Sequence, residues 1–300
     1  MNTPRLPSWL HTRLPPAQAV QKIRLRTYAQ GLATVCKEAI CPNQGECSQR
    51  GTATFLILGD RCTRNCSFCA VRHGPPVAVE FDEPNRVAKA VKSLQLRHSV
   101  ITSVTRDDLP DGGAFVFAET VRAIRNSSPG TSVEILIPDF QGSSSAVQTI
   151  IDSAPDVIGH NLEMVPRLYA VLRQGASYTR SLKVLQFVSE RAPGIITKSG
   201  IMVGLGETHQ EVIGLMRDLV NAGCMALTIG QYLQPTENHF PVSRFLPPRE
   251  FAELRDLGLA QGIKLVMAGP LVRSSYKAIE IFEKLSKQDV RAGVQNRSPS

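Results

Sequence analysis

The sequence is defined first by what it lacks. No apolar run approaches the length of a bilayer span. Residues 1–13 hold two prolines and the lone Trp9 but no apolar h-region, so neither a secretory signal nor membrane insertion is expected. The expected compartment is the cytoplasm, where thiols stay reduced. Like charges never gather into a block of five. The 34 Lys+Arg against 26 Asp+Glu give a net charge of +8 without a basic tract, and no nucleic-acid partner is expected. No G-x-G-x-x-G follows Gly204-Leu205-Gly206, which excludes a dinucleotide fingerprint.

Cysteine, by contrast, is concentrated. Six of the seven lie between residues 36 and 69, in two groups of three. Cys36, Cys41 and Cys47 follow a C-x4-C-x5-C pattern. Cys62, Cys66 and Cys69 follow C-x3-C-x2-C. Three is an odd number for disulfides. Structural zinc favours paired C-x2-C knuckles that supply four ligands. Iron–sulfur cubanes are also held by thiolates, and three thiolates on one short loop leave one metal corner open. The seventh, Cys224, stands alone between a helix and a strand and reads as a buried packing residue.

A hydrophobic share of 42% supports a large globular core. β-branched and apolar runs predict strands over 52–58, 99–104, 132–137, 156–160, 195–203, 226–230 and 264–267. Between and after them, amphipathic spacing and caps predict helices over 84–97, 114–126, 143–153, 165–173, 178–191, 208–222, 248–261 and 276–286. An earlier basic helix is read over 17–32, and a polar, Ser-rich, disordered tail ends the chain. Repeated βα units imply a parallel sheet with helices outside, either an open doubly wound sheet or a full or partial barrel. In each, chemistry gathers at the C-terminal strand ends. The second cysteine group begins three residues after the end of the first such strand.

A C-x3-C-x2-C loop directly after an apolar strand resembles the signature loop of radical S-adenosylmethionine enzymes. Preceded by C-x4-C-x5-C, it resembles the lipoyl synthase family in particular. The resemblance runs from Arg5-Leu-Pro-Ser-Trp9 to Arg273-Ser-Ser-Tyr276. It includes Ala53-Thr-Phe-Leu-Ile-Leu-Gly-Asp60, Arg106-Asp-Asp-Leu-Pro-Asp-Gly-Gly113, Leu136-Ile-Pro-Asp-Phe140, His160-Asn-Leu-Glu163, Lys198-Ser-Gly-Ile-Met-Val-Gly-Leu-Gly-Glu-Thr208 and Gly230-Gln-Tyr-Leu-Gln-Pro235. Thr105 stands where the family has Asp or Asn.

The resemblance implies an α/β fold: a partial (β/α)6-type TIM barrel with N- and C-terminal extensions packing over its mouth. It divides the chain into 1–51 with the auxiliary cluster loop, 52–268 as the barrel, and 269–300 with the Arg-Ser-Ser-Tyr motif. It implies two 4Fe–4S clusters and S-adenosylmethionine as cofactors. Cys62, Cys66 and Cys69 would hold the catalytic cluster, which cleaves S-adenosylmethionine to a 5′-deoxyadenosyl radical. Cys36, Cys41 and Cys47 would hold an auxiliary cluster with a serine, here Ser275, with Ser274 as the alternative. The implied reaction inserts two sulfurs, drawn from the auxiliary cluster, at C6 and C8 of a protein-bound octanoyl group. The implied partners are an octanoylated lipoyl carrier (a 2-oxoacid dehydrogenase lipoyl domain or the glycine cleavage H protein) and a donor such as ferredoxin or flavodoxin. The chain is expected to be a monomer.

Several other residues are candidates for cofactor binding. Phe68 would shield a cluster from water. Gly112 and Gly113 would let backbone approach a ligand closely, or simply start a helix. Arg106 would meet a carboxylate, unless it is merely solvated. Gly204 would approach adenosine or ribose. His160, Asn161, Gln231 and Tyr232 follow strands and would point into the barrel mouth as polar scaffolding. Met202 would line an apolar slot, and Glu134 and Lys198 complete the set. A different radical enzyme with an auxiliary cluster, and a basic zinc module for nucleic acid, are the rival readings. The N-terminal cysteine group with the terminal Arg-Ser-Ser-Tyr argues against the first. The strand–helix alternation argues against the second.

Overall fold

The computed structural model describes residues 6–11, 21, 25–39, 41, 43, 46–47 and 52–295, without the side chains of Cys36 and 288–295. Most of the first half of the 17–32 helix and residues 296–300 lie outside the described residues; 287–295, read as the start of a disordered tail, instead continue the last helix. Residues 25–28 are helical, and the turn after them ends at Gly31.

One eight-stranded sheet organises the chain: β1 Ala33–Thr34, β2 Thr52–Ile57, β3 His98–Ser103, β4 Ser132–Leu136, β5 Val157–Gly159, β6 Ile196–Val203, β7 Ala226–Gln231 and β8 Leu265–Gly269. The strands lie in sequence order. β2 to β8 are parallel, and β1 pairs antiparallel with β2. Among the described residues no ladder joins β8 back to β1 or β2, so the barrel is partial. The crossovers carry the helices α1 Glu83–Leu94, α2 Ala114–Ser127, α3 Ser144–Asp152, α4 Tyr178–Arg191, α5 His209–Asn221 and α6 Pro248–Ala260. After β8 comes α7, Ala278–Gln295.

Local chemistry sets the helix ends. Ser143 and Ser177 cap α3 and α4 through their side chains, and Thr208 with Glu211 forms a full capping box on α5. α1 stops at Gln95, which turns left-handed at φ 54°. β2 is buried on both faces along its whole length, as a parallel strand covered by helices must be.

The two chain extensions differ. Near the N-terminus Trp9 Nε1 donates to Leu246 O at 3.1 Å, and Arg86 Nη1 of α1 donates to Gln30 O at 2.9 Å. Among the described residues the C-terminal extension reaches the mouth through residues 271–276. α7 then carries Ile281 and Leu285 to Val157, Ile196 and Ala226, the first residues of β5, β6 and β7. Its apolar stripe closes the end of the barrel opposite the cysteines.

Candidate active site

The second cysteine group lies in the loop after β2. Cys62 bridges to His73; its N–H donates to Arg72 O at 2.8 Å, and Gly74 N–H donates to Cys62 O at 3.1 Å. Loops after three other strands hold the rest. Thr63 N–H donates to Thr105 O at 3.0 Å, Ser67 N–H to Leu172 O at 3.0 Å, and Phe240 N–H to Ser67 O at 2.9 Å. The strongest tether is Arg64, between Cys62 and Cys66. Its Nε and Nη2 donate to Asp107 at 2.7 and 2.9 Å, and Nη2 also donates to Asp139 at 2.6 Å. With 7% of the Arg64 side chain exposed and 1% of Asp139, water screens this contact little. Burial alone would raise the Asp139 pKa, but Arg64 and Arg180 outweigh it and hold it below the usual carboxylate range.

Cys62, Cys66 and Cys69 line a cavity of about 180 Å³ together with Glu163 and Arg173. Burial pushes the Cys66 thiol up to about 11 against the pull of Arg173, and the Cys69 thiol up to about 12. Such thiols shed their protons only to a bound metal. Among the described residues no three His, Cys, Asp or Glu side chains converge on one point as a single-ion site. Cys62, Cys66 and Cys69 border a common space, which suits a polynuclear cluster. The residues present therefore fit the group that the spacing implies.

A second cavity, about 260 Å³ and mostly apolar, opens beside the first. Phe68, Cys69, Cys41 and Ser275 all line it. Asn161 and Glu163 border both cavities. Glu163 sits at φ 67°, and its backbone bridges to Ile201. Burial raises its pKa, with Arg173 and the Asn161 amide pulling it back.

The Arg-Ser-Ser-Tyr segment is laid across the strand ends. A Cβ at Gly230 would come within 2.0 Å of Val272 O, so only glycine admits this approach. Ser274 Oγ donates to Asn161 Oδ1 at 2.9 Å, and Asn161 Nδ2 donates to Glu163 Oε1 at 3.0 Å. Asn43 Nδ2 donates to Leu271 O at 2.5 Å, and Tyr276 OH donates to Glu46 Oε2 at 3.1 Å. The N-terminal loop and the C-terminal segment thus meet at one wall of the larger cavity. Cys47 closes a turn by donating its N–H to Asn43 O at 3.1 Å. The Cys36 side chain lies outside the described residues.

Of the other candidates, Phe68, Asn161, Met202, Gln231 and Tyr232 line the larger cavity. The Gln231 amide donates to Arg244 O at 3.0 Å and accepts from Leu246 N–H at 2.9 Å, and Tyr232 OH donates to Phe240 O at 2.7 Å. Both pin the loop after β7. His160 is buried: its Nδ1 lies 2.8 Å from Ile137 O, and its Nε2 meets no partner among the described residues. Burial, with the Arg173 charge, pulls its pKa down to about 4.

The remaining candidates are not gathered into either cavity. Arg106 forks onto Asp108 at 2.9 and 2.8 Å and holds the 105–113 loop. A Cβ at Gly113 would lie 2.2 Å from Leu58 Cδ1, and at Gly112 it would lie 2.7 Å from Phe140 Cδ1. Close packing at the start of α2 requires both glycines. A Cβ at Gly204 would lie 2.2 Å from Gln231 Nε2, and its N–H donates to Glu207 Oε1 at 2.6 Å. Glu134 and Lys198 pair with each other at 2.7 Å inside the barrel. Cys224 is buried, with Sγ 3.2 Å from Ala226 O, as a packing residue should be. Sequence reading does not single out Arg64 or Arg173. Arg64 offered a signal, being inside the cysteine loop; Arg173 follows a four-residue helix and offered none.

A parallel partial barrel with three thiols at the C-terminal end of its first parallel strand defines the radical S-adenosylmethionine class, and the model of the radical SAM superfamily matches residues 56–219. Among solved structures, methylornithine synthase superposes with a TM-score of 0.53 at 16% identity, covering 85% of this chain and 79% of that one. SuiB of Streptococcus suis bound to S-adenosylmethionine gives 0.57 at 12%, covering 75% and 53%. These likenesses speak to fold alone. The lipoyl synthase of Rubrobacter xylanophilus is 54% identical over 92% of this chain and 86% of its own. That of Desulfotalea psychrophila is 54% identical over 93% of each. The chain belongs to the lipoyl synthase family.

Proposed function

We propose that this chain inserts two sulfur atoms into an octanoyl group borne on a lysine of a carrier protein, breaking one C–H bond and making one C–S bond at each of C6 and C8. The observation that carries the reading is the larger cavity. Its mostly apolar lining brings Cys69 of the second cysteine group into one space with Cys41 of the first and Ser275. Cys62, Cys66 and Cys69 would hold the 4Fe–4S cluster that supplies the electron for cleaving S-adenosylmethionine; Cys36, Cys41, Cys47 and Ser275 would hold the one that supplies sulfur. Ser274 commits its hydroxyl to Asn161, which favours Ser275 as the serine ligand.

The protein's own residues prepare the space. Phe68, Ile201, Met202 and Tyr232 present apolar surface to an acyl chain and exclude water from a reaction that water-borne quenchers would intercept. Arg173 and Glu163 place one cation and one carboxyl beside the thiols, suited to the charged groups of S-adenosylmethionine. Arg64 fixes the cysteine loop to β3 and β4 through Asp107 and Asp139. Residues 1–51 and 269–300 would act together as the auxiliary ligand shell around the 52–268 barrel. Among the described residues no helix is long and apolar enough to cross a membrane. We place the reaction in the cytoplasm, on a monomer, with a 2-oxoacid dehydrogenase lipoyl domain or the glycine cleavage H protein as carrier and ferredoxin or flavodoxin as electron donor.

The test is anaerobic purification followed by assay with an octanoyl-lysyl peptide and S-adenosylmethionine, reading thiolated products by mass. About two cubanes per chain and a doubly thiolated peptide are expected. A colourless zinc protein, or cleavage of S-adenosylmethionine with no thiol product, would overturn the reading.

A further inference from the structure

Below the larger cavity the barrel interior changes character. Side chains alternate along a strand, so residues two apart share a face. Leu136 and Gly200 line the cavity. Two residues deeper on the same strands stand Glu134 and Lys198, with Oε1 and Nζ 2.7 Å apart and each side chain 1% exposed. Strand register runs obliquely to this level. Glu134 pairs with Val100, and Val100 with Thr54. Lys198 meets Glu134 although it belongs to the register row of Gly159 and Leu136, so level climbs by two residues over two strands, and Thr54, which lines the cavity with Leu136 and Gly200, stands one layer above the ion pair. Behind it stands His98, with Nε2 3.5 Å from Glu134 Oε2. The His98 ring stacks on Phe282 of α7, centroids 6.0 Å apart. An apolar slot therefore has an ionic layer beneath the residues that line it, and the C-terminal helix backs that layer.

We propose that this layer, with Thr54 and Thr228 at its rim, is a length gauge that sets the longest acyl chain the site accepts. The inference rests on the octanoyl-lysine reading given above. An acyl chain gains by removing its surface from water along the walls. It gains nothing against two charges that already satisfy each other. Pressing further would separate a pair held away from water, where an unpaired charge is most costly. An aliphatic end wall yields by changing rotamer; this one is held by His98 and, through it, by α7. The rim is stiff as well. Thr54 and Thr228 are β-branched, and Thr228 Oγ1 donates to Ser199 O at 3.3 Å.

The test is calorimetric titration of the holoenzyme, anaerobic and with S-adenosylmethionine present, using octanoyl- and decanoyl-lysyl peptides. The unchanged chain should bind the decanoyl peptide at least tenfold more weakly, since one misfit methylene is worth roughly 10–200-fold. Thr54→Ala removes a methyl and a hydroxyl from the end of the slot and should move the decanoyl-to-octanoyl ratio at least tenfold toward decanoyl. Equal binding of both peptides by the unchanged chain, or the same ratio in Thr54→Ala, would overturn the gauge. If Thr54→Ala loses its iron, Thr228→Ala at the same rim takes its place with the same expectation. Failure of the unchanged chain to bind the octanoyl peptide at all would instead overturn the functional reading on which the gauge rests.

Discussion

Ser274 and Ser275 are adjacent, chemically identical and differently engaged. Ser274 spends its hydroxyl on Asn161 at 2.9 Å; Ser275 faces the cavity that Cys41 also lines. Ser275→Ala should cut thiolated product by more than about tenfold, the effect of some 1.4 kcal/mol, while release of 5′-deoxyadenosine continues. Equal loss of both products would count against Ser275 as a ligand. Ser274→Ala removes one hydrogen bond, and about 1 kcal/mol of stability should go with it, seen in the urea midpoint. His160 supplies a pH prediction. Its pKa is about 4 in the fold against an ordinary value near 6.5, so between these pH values the unfolded chain binds the extra proton. Stability is therefore full above about pH 6.5 and falls as pH drops toward 4, by at most on the order of 3 kcal/mol. Denaturant midpoints of His160→Gln should be flatter over that window; identical profiles would remove His160 from the account. At this scale the cysteines were legible because ligand spacing along a loop is a covalent property. Arg173 was not: its burial beside Cys66 is created by a chain turn that no local pattern announces.

Among the elements, the six crossovers were readable to within a few residues because caps and periodicity are local. The deviations have local causes too. α1 ends at Leu94 rather than 97 because Gln95 turns left-handed at φ 54°. The span 165–173 divides into a 3-10 turn, Pro166–Leu168, and a short helix, Tyr169–Leu172. β1 is two residues long, too short for any alternation to show. Element contacts also carry predictions. Gly230→Ala would put a Cβ 2.0 Å from Val272 O and force residues 272–275 off the strand end. Loss of the iron held at the auxiliary site, with the radical-site iron retained, is expected from metal analysis and Mössbauer spectra. Full retention of both would show that the segment tolerates displacement. Leu285→Ala in α7 removes a fully buried side chain from the bottom of the barrel. Its cost should be about 2–5 kcal/mol, read as a melting temperature lower by roughly 5–10 °C.

For the molecule as a whole, a charge of +8 bears on encounter rather than on fold. If the carrier is acidic, its KM should rise with ionic strength while kcat holds steady, because screening slows steered association. A KM indifferent to salt would remove long-range attraction from the mechanism. Cys62, Cys66 and Cys69 sit together because loop and strand end are contiguous in the chain, and that much the sequence determined by itself, along with the parallel α/β architecture that hydrophobic periodicity imposes. Only the tertiary structure decided what faces those cysteines. Asn43 meets Leu271 and Glu46 meets Tyr276 across more than two hundred residues, and Glu134 meets Lys198 from strands that are not neighbours. Such juxtapositions, Lys198 on Glu134 from the register row of Leu136 among them, depend on how strands are sheared and where two chain ends come to rest. Those are properties of packing, and no spacing in the sequence encodes them one residue at a time.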